Sequence, residues 1–465
     1  MIFTEVRFLL FFALCFLVYW SLSGNKPRKV WLLICSYVFY GAWDWRFLFL
    51  LFGATVLDYV VGLGLSRQED PRKRKLLLAC SLVGNLGCLA LFKYYDFFVK
   101  SGAGLLQWLG FDVEPRYLNL VLPVGISFYT FQTLSYAIDV YRRALAPVRS
   151  FLDFSLFVSF FTHLVAGPIV RAIDLLPQFT RKRTWADVNV RASLVLFFVG
   201  YVKKACISDN MAAGVDAIFA DPSAYSGGDL WLGSILFALR IYLDFSGYSD
   251  MAIATAGLLG YELLINFDFP FVSRSMTEFW RRWHISLVGW LRDYLYYPLG
   301  GSRKGPARTI LNLWIVFFLT GLWHGANWTY VAWGLYFGGL VVLENFLFRA
   351  LPNVKLPFFV GNLYVVILGT IGCVFFNART IGDAWTYIGG LFTGGSSLPT
   401  ANLDNAFWLL IPAFAAGHVL AYRRTFVPAV QRLTHWQFAL LYGVALALMF
   451  PWVAPDYAAF VYFQF

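Results

Sequence analysis

The sequence predicts an all-α polytopic membrane protein, and three observations predict it. Apolar stretches long enough to cross a hydrocarbon core, about 20 residues each, recur from end to end. Of 465 residues, 59% are hydrophobic and 14% charged, where a soluble globular domain carries about 25% charged residues. The basic residues gather in short clusters between the apolar stretches: Lys26, Arg28 and Lys29, then 72–75, Arg142 and Arg143, and 181–183. That arrangement marks cytoplasmic loops by the positive-inside rule. No polar region is long enough for a separate soluble domain, so residues 1–465 read as one membrane domain.

Taken in order, the first span covers residues 6–22 and ends at the basic loop 26–29. It lacks a basic leader and a small-x-small cleavage site, so it reads as a retained span and not a signal peptide. Residues 30–42 and 45–65 form a hairpin that turns at 41–44 and returns to a second basic loop, 67–75. This places the N-terminus outside. Residues 76–92 cross again, and 93–117 read as a mixed external stretch.

The middle of the chain is less regular. Segments 118–140 and 151–170 are apolar but interrupted by Pro123, Gly125, Gly167 and Pro168. In lipid, a broken helix is tolerated only where protein or a water-filled cavity surrounds it, so re-entrant pieces lining a cavity are expected. The later apolar segments are 192–202, 230–243, 252–264, 309–323, 328–347, 358–376, 406–421 and 438–453. The whole comes to roughly eleven spans, with re-entrant and interfacial helices around a central funnel or tunnel.

The net charge of +11 does not point to nucleic acid, because no basic face exists apart from the membrane segments. Anionic lipid headgroups suffice as partners. The six cysteines form no Cys-x-x-Cys pair and lie mostly in apolar runs; they read as small packed residues, with neither disulfide nor zinc implied.

Ionisable groups inside membrane segments are costly and so are functional candidates. His324 leads among the five histidines, because residues 309–343 contain no Asp, Glu, Lys or Arg. Fifteen residues of helix beyond Thr309 rise about 22 Å, which puts His324 well inside a core of about 30 Å. It lies in Gly321-Leu322-Trp323-His324-Gly325-Ala326-Asn327-Trp328, where the glycines leave room for a substrate or another backbone. A neutral imidazole there suits general-base work. A hydrogen-bonded structural histidine is the plainer alternative.

His284 lies in Phe279-Trp280-Arg281-Arg282-Trp283-His284-Ile285-Ser286-Leu287. On one continuous helix, Trp280, Trp283, Leu287, Trp290, Leu291 and Tyr294 share a face, with Arg281, Arg282, Ser286, Arg292 and Asp293 opposite. His284 falls at the inner edge of the apolar face. Seven basic residues between Arg274 and Arg308, against Glu278 and Asp293, predict an interfacial helix. A snorkelling anchor helix explains the arginines but not the inward histidine. His163 has no clear role, and His418 and His435 read as packed or interfacial residues.

A third group is Asp244-Phe245-Ser246-Gly247-Tyr248-Ser249-Asp250. Asp244, Ser246, Tyr248 and Asp250 at a glycine break suggest a polar cavity lining between two apolar segments. A capping loop, with Ser249 or Asp250 as N-cap, is an equal alternative. Motifs of zinc proteases, Walker phosphate loops, serine hydrolases and dinucleotide folds are missing, and no metal site is expected.

Together, residues 279–287, then Leu291-Arg292-Asp293-Tyr294-Leu295-Tyr296, then Gly321-Leu322-Trp323-His324-Gly325 resemble the membrane-bound O-acyltransferase family. Pro123-Val124-Gly125-Ile126-Ser127-Phe128, Ala166-Gly167-Pro168 and the 244–250 group support it. The motifs concentrate in residues 118–345. The likeness is strongest to the branch that acetylates bacterial alginate and peptidoglycan, and more distant to teichoic acid D-alanylation.

The resemblance implies acetyl-CoA as cytoplasmic acyl donor, a passage through the bacterial inner membrane, and periplasmic or membrane-anchored partner proteins that hand acetyl to a polysaccharide. His324 matches the family's invariant histidine, and His284 its second polar site residue. Relatives often carry a further histidine after the Trp-Gly of the next span; here Phe337 follows Trp333-Gly334, and no role is carried over.

On this reading His284 and His324 are catalytic, and Arg281, Arg282, Arg292 and Trp283 bind the donor. Asp244, Ser246, Tyr248, Asp250, Asp293, Tyr294, Trp323 and Asn327 line the substrate cavity. The two imidazoles should approach each other within about 15 Å across a polar cavity, since each would be costly there alone. A transporter of polar saccharide or lipid, or a scaffold for a secretion complex, are the competing classes. Neither needs an acyl donor, and a scaffold leaves both histidines unexplained.

Overall fold

The computed structural model describes residues 1–351, 357–393, 406–423, 430–455, 458, 460 and 461, and every regular element among them is helical. The contacts separate into two compact units. One comprises Met1–Ser193, Ala252–Leu264 and Arg292–Tyr294; the other comprises Leu194–Met251, Ile265–Leu291 and Leu295–Phe465.

In the first unit, helices α1 (Val6–Ser21) and α2 (Asn25–Gly41) lead to α3 (Phe47–Arg67) and α4 (Pro71–Leu89). Asp70 starts α4 by accepting from the Arg72 amide, with Pro71 at the first position, a start that leaves few amides orphaned. A π-turn at Ala90–Tyr94 then carries the chain into α5 (Tyr95–Trp108). Pro71–Trp108 is therefore one helical rod of 38 residues. The sequence suggested a span ending near residue 92, with an external stretch beyond it. Lys93, Asp96 and Lys100 interrupt the apolar run without interrupting the helix.

Helix α6 (Ile126–Tyr141) is buried along almost its whole length and packs on α3 and α4. It begins at Gly125, whose φ is +77° and whose missing Cβ would stand 2.4 Å from the Leu164 carbonyl oxygen, so only glycine fits. Asp58, fully buried on α3, accepts from Ser81 at 2.5 Å and Asn85 at 2.7 Å, which satisfies a carboxylate that apolar surroundings would otherwise expel. Next come α7 (Phe151–Ser159), α8 (Phe161–Leu164) and α9 (Ala172–Thr180), with non-helical buried backbone at 165–170. This is the broken stretch that Gly167 and Pro168 predict.

The second unit takes up the chain within α10 (Val190–Tyr201), which passes through a π-turn at Val202–Ser208 into α11 (Asp209–Ala220). Then comes α12 (Gly227–Leu258), whose 32 residues make it about 48 Å long. This corrects the reading of residues 244–250 as a glycine break. Gly247 sits inside the helix, where a Cβ would come within 2.6 Å of the Gly200 carbonyl oxygen, and Gly200 faces the Gly247 oxygen at 2.5 Å in the same way. The glycine serves close helix crossing, not a turn.

That crossing brings Lys203 to Asp250 at 2.7 Å. It also sets Lys204 between Asp209 and Asp244, at 2.7 Å from each. The Lys204 ammonium further donates to the Ala458 carbonyl at 3.0 Å, and Asp244 accepts from the Val461 amide at 2.7 Å.

Short helices α13 (Met276–Arg282) and α14 (Ile285–Leu291) precede α15 (Pro306–His324), α16 (Trp328–Ala350), α17 (Phe358–Asn377), α18 (Ile381–Gly390) and α19 (Ala406–Tyr422); the last described α-helix is His435–Met449. Helices α15 and α16 form a tight hairpin. A Cβ on Gly321 would stand 2.2 Å from the Tyr330 carbonyl oxygen, and one on Gly334 2.3 Å from that of Phe317. Gly321→Ala is expected to destabilise the hairpin by about 1–3 kcal/mol, as overpacking does. Thermal melting in detergent reads the loss, and Gly53→Ala, which meets nothing within 4 Å, serves as the neutral control.

Six helices among the described residues are long and apolar enough to cross a membrane unaided: 47–67, 71–108, 227–258, 306–324, 328–350 and 358–377. The sequence suggested roughly eleven spans. The difference lies in shorter helices: α1, α2 and α6 have 16, 17 and 16 residues, and 151–164 is divided in two.

Candidate active site

His324 ends α15 and lies 3% exposed, its ring centroid 4.9 Å from Trp333, 5.0 Å from Trp323 and 5.4 Å from Phe376. The helix stops there because Gly325 turns to extended backbone and Asn327 caps α16 by accepting from the Thr329 amide. An aromatic cage of this kind fixes the ring and keeps water away from it.

His284 corrects the single-helix projection. It stands between α13 and α14, with φ +44°, a left-handed conformation that costs a non-glycine residue about 1–3 kcal/mol and persists only where the surroundings over-determine it. The surroundings do so here. Residues 266–268 run beside the break, Asp268 donating its amide to the Arg282 carbonyl and Ile285 donating to that of Asn266, both at 2.9 Å. His284 points inward because the helix is broken at that residue, not because of its place on a helical face.

The structure brings the two histidines together. Their ring centroids lie 6.5 Å apart, inside the 15 Å expected, and Trp323 flanks both. His284 is 1% exposed, packed on Phe245 at 4.7 Å. Its segment is outside the six candidate spans, and burial pushes its imidazole down to about 3. A neutral ring at cellular pH follows.

Beside this pair is an apolar cavity of about 40 Å³, lined by Trp280, Trp283, Phe337 and Cys373 together with Trp333 and Phe376, the two side chains that also touch His324. Trp283 stacks on Phe279 at 5.3 Å and is 7% exposed. Helix α13, which carries Trp280 and ends just before Trp283, is held by Glu344 of α16, whose carboxylate accepts from the Met276 amide at 2.5 Å and the Thr277 amide at 2.8 Å. Sequence reasoning missed Glu344. Its signal was the first charge after 35 uncharged residues, at a position where α16 remains apolar.

The other candidate residues fall in four places. Arg281 is exposed, and Arg282 pairs with Glu278 at 3.1 Å and Asp268 at 3.2 Å. Asp244 and Asp250 are engaged by Lys204 and Lys203, with Ser246 and Tyr248 buried on the same helix. Asn327 is the α16 cap, its amide donating to the Arg379 carbonyl at 3.0 Å.

Arg292, Asp293 and Tyr294 belong to the first unit. There Asp293 takes Arg171 at 2.6 Å and Arg292 at 2.8 Å, and Tyr294 donates to Asp139 at 2.7 Å. Arg292 and Arg171 hold the Asp293 carboxyl below its usual range despite partial burial. His163 is buried in α8 with Nε2 3.3 Å from the Phe157 carbonyl oxygen, a packed residue of the first unit.

A model of the membrane-bound O-acyltransferase family matches residues 143–382, a stretch that contains both histidines and the cavity. The chain belongs to the membrane-bound O-acyltransferase family. This O-acyltransferase is similar to the probable alginate O-acetylase AlgI of Pseudomonas aeruginosa, 41% identical over 87% of this chain and 78% of the relative. It is also similar to the peptidoglycan O-acetyltransferase of Helicobacter pylori, 33% identical over 82% of this chain and 77% of the relative. The teichoic acid D-alanyltransferase of Bacillus subtilis matches at 27% identity over 54% of this chain. The chain is thus an acyltransferase and a multi-pass bacterial membrane protein. A carrier without acyl chemistry, or a bare scaffold, does not fit the family.

Proposed function

We propose that this acyltransferase takes acetyl from cytoplasmic acetyl-CoA and passes it through the inner membrane for O-acetylation of an extracytoplasmic polysaccharide, alginate or a similar polymer. The observation that carries the reading is the buried imidazole pair, 6.5 Å between ring centroids, beside an apolar cavity of about 40 Å³. A space of that size holds only a few water-sized groups, which suits a two-carbon acyl group better than a fatty chain. The relatives' names supply the polymer class: alginate first, peptidoglycan second.

In this mechanism His324 is the base toward the acceptor hydroxyl, and His284 works beside the donor thioester. The hydroxyl oxygen attacks the thioester carbonyl, the C–O bond forms, the C–S bond breaks, and the departing thiolate takes up the proton. Trp283 borders the acyl group, while Arg281 and Arg282 offer guanidinium groups to the CoA phosphates. Asp244, Ser246, Tyr248, Asp250, Trp323 and Asn327, all of the second unit, would shape a passage. The acceptor hydroxyl belongs to a periplasmic or membrane-anchored partner, which hands the acetyl group on to the polymer.

The donor must be met on the cytoplasmic side, and the basic stretch 274–308 predicts where. Lys304 is exposed, and Lys304→Cys is expected to react with a membrane-impermeant thiol reagent in inverted vesicles but not in intact cells. Acetyl-CoA added to the same inverted vesicles should release CoA. Labelling from the periplasmic side alone would remove direct access to cytosolic acetyl-CoA and, with it, this proposal.

A further inference from the structure

Asn266 is the side chain around which the His284 break is organised. It is 1% exposed, and its Oδ1 lies 3.0 Å from His284 Nδ1 while accepting from the Ser286 hydroxyl at 2.9 Å. Its Nδ2 donates to the Ser249 hydroxyl of α12 at 3.3 Å. The Asn266 carbonyl takes the Ile285 amide at 2.9 Å, so Asn266 holds both the ring of His284 and the chain on its C-terminal side. The opposite ring nitrogen, His284 Nε2, is buried and has no hydrogen-bond partner among the described residues.

These contacts decide between the two neutral tautomers. With the proton on Nδ1, the ring donates to Asn266 Oδ1 and leaves a bare lone pair at Nε2. With the proton on Nε2, a buried N–H would lack any acceptor, and the Nδ1 lone pair would face the lone pairs of Oδ1. A buried donor without an acceptor is the rarer and costlier defect. The tautomer of a histidine is set by the hydrogen bond its other nitrogen makes.

We propose that Asn266 is a positioning residue that locks His284 in the Nδ1–H tautomer, so that His284 enters the reaction as a proton acceptor through Nε2. This rests on the reading of the histidine pair as the acyl-transfer site, and it narrows the part His284 plays. A neutral ring in this tautomer has no N–H to offer the thioester carbonyl. Nε2 instead receives the proton that leaves the acceptor hydroxyl, directly or by way of His324. It returns that proton to the thiolate as the C–S bond breaks, so the ring ends as it began and the products are an acetyl ester and CoA thiol.

The test uses the full chain in liposomes supplied with acceptor polysaccharide and its partner proteins, with acetyl-CoA consumption as the rate. Asn266→Leu removes the acceptor for Nδ1–H; the expected result is a loss in kcat on the order of 10²-fold, as for a misplaced catalytic group, with KM for acetyl-CoA little changed. Asn266→Asp keeps the acceptor and adds a negative charge that favours the protonated ring. It should restore much of the rate and move the acid limb of the pH–rate profile to higher pH, a shift that loss of packing alone does not produce.

Nitrogen NMR of histidine-labelled protein, with His284→Gln subtracted to assign one ring of five, reads the tautomer without any dependence on activity. An Nε2–H tautomer, or an acid limb unmoved in Asn266→Asp beside a fully active Asn266→Leu, overturns the proposal. Full activity in His284→Ala would instead remove the histidine-pair reading itself, so the two failures are told apart.

Discussion

Replacing His324 with alanine is expected to abolish polymer acetylation in cells while the protein still inserts at its normal level. The ring is the polar centre of an aromatic cage made by Trp323, Trp333 and Phe376, and it ends a helix that carries no charged side chain from Thr309 onward. Removal of a general base lowers a rate about 10²–10⁴-fold, which takes cellular acetylation below detection. Without the ring, the α15–α16 hairpin keeps the close backbone approach at Gly321 and Gly334. Polymer acetyl content and membrane abundance, measured in the same cells, separate lost chemistry from lost protein. His324→Gln, closer in volume, should be as inactive as the alanine variant.

The second large effect lies in the buried ionic group of the second unit. Lys204 sits with Asp209 and Asp244, all three side chains 1% exposed, so one positive charge serves two carboxylates. Lys204→Met keeps the length of the side chain and removes the charge. Breaking a buried pair from one side costs about 3–5 kcal/mol, because the surviving charge has no compensation, and here two carboxylates survive. The variant is expected to lose most of its folded population, read as a collapsed melting transition and low yield in detergent. Adding Asp209→Asn and Asp244→Asn to Lys204→Met should recover much of the loss, since the penalty belongs to the unpaired charges and not to the missing lysine. Equal stability of Lys204→Met and the parent chain would show that the ionic group does not hold the unit together.

Several of these features were legible in the sequence, for identifiable reasons. His324 stood out because a histidine in a run without charges is conspicuous wherever the run folds. Gly125, Gly167 and Pro168 gave the broken middle segments, since backbone constraints act locally. Other features depended on partners distant in sequence. The projection of residues 280–294 onto one helix brought His284 inward for the wrong reason, because the left-handed backbone at His284 is held by Asn266, eighteen positions earlier. Nothing around Asn266 alone distinguishes it from any other polar residue between two apolar ones.

Gly247 looked like a break because a glycine among Asp, Ser and Tyr reads as a turn. Its use became visible only with Gly200 opposite it across a helix crossing. Lys203 and Lys204 did carry a signal: two charges interrupting an apolar run imply buried partners, and Asp244 and Asp250 were the carboxylates available. Read together, those four residues would have given the ion pairs before the structure did.

The central claim is that the buried histidine pair performs acyl transfer from a thioester. The most direct measurement is CoA release from acetyl-CoA by the purified chain in liposomes, with acceptor polysaccharide and its partner proteins supplied, wild type against His324→Ala. Steady thiol release by the wild type and none above background by the variant is the expected result. Equal release by the two proteins, or no release by the wild type, would contradict the claim.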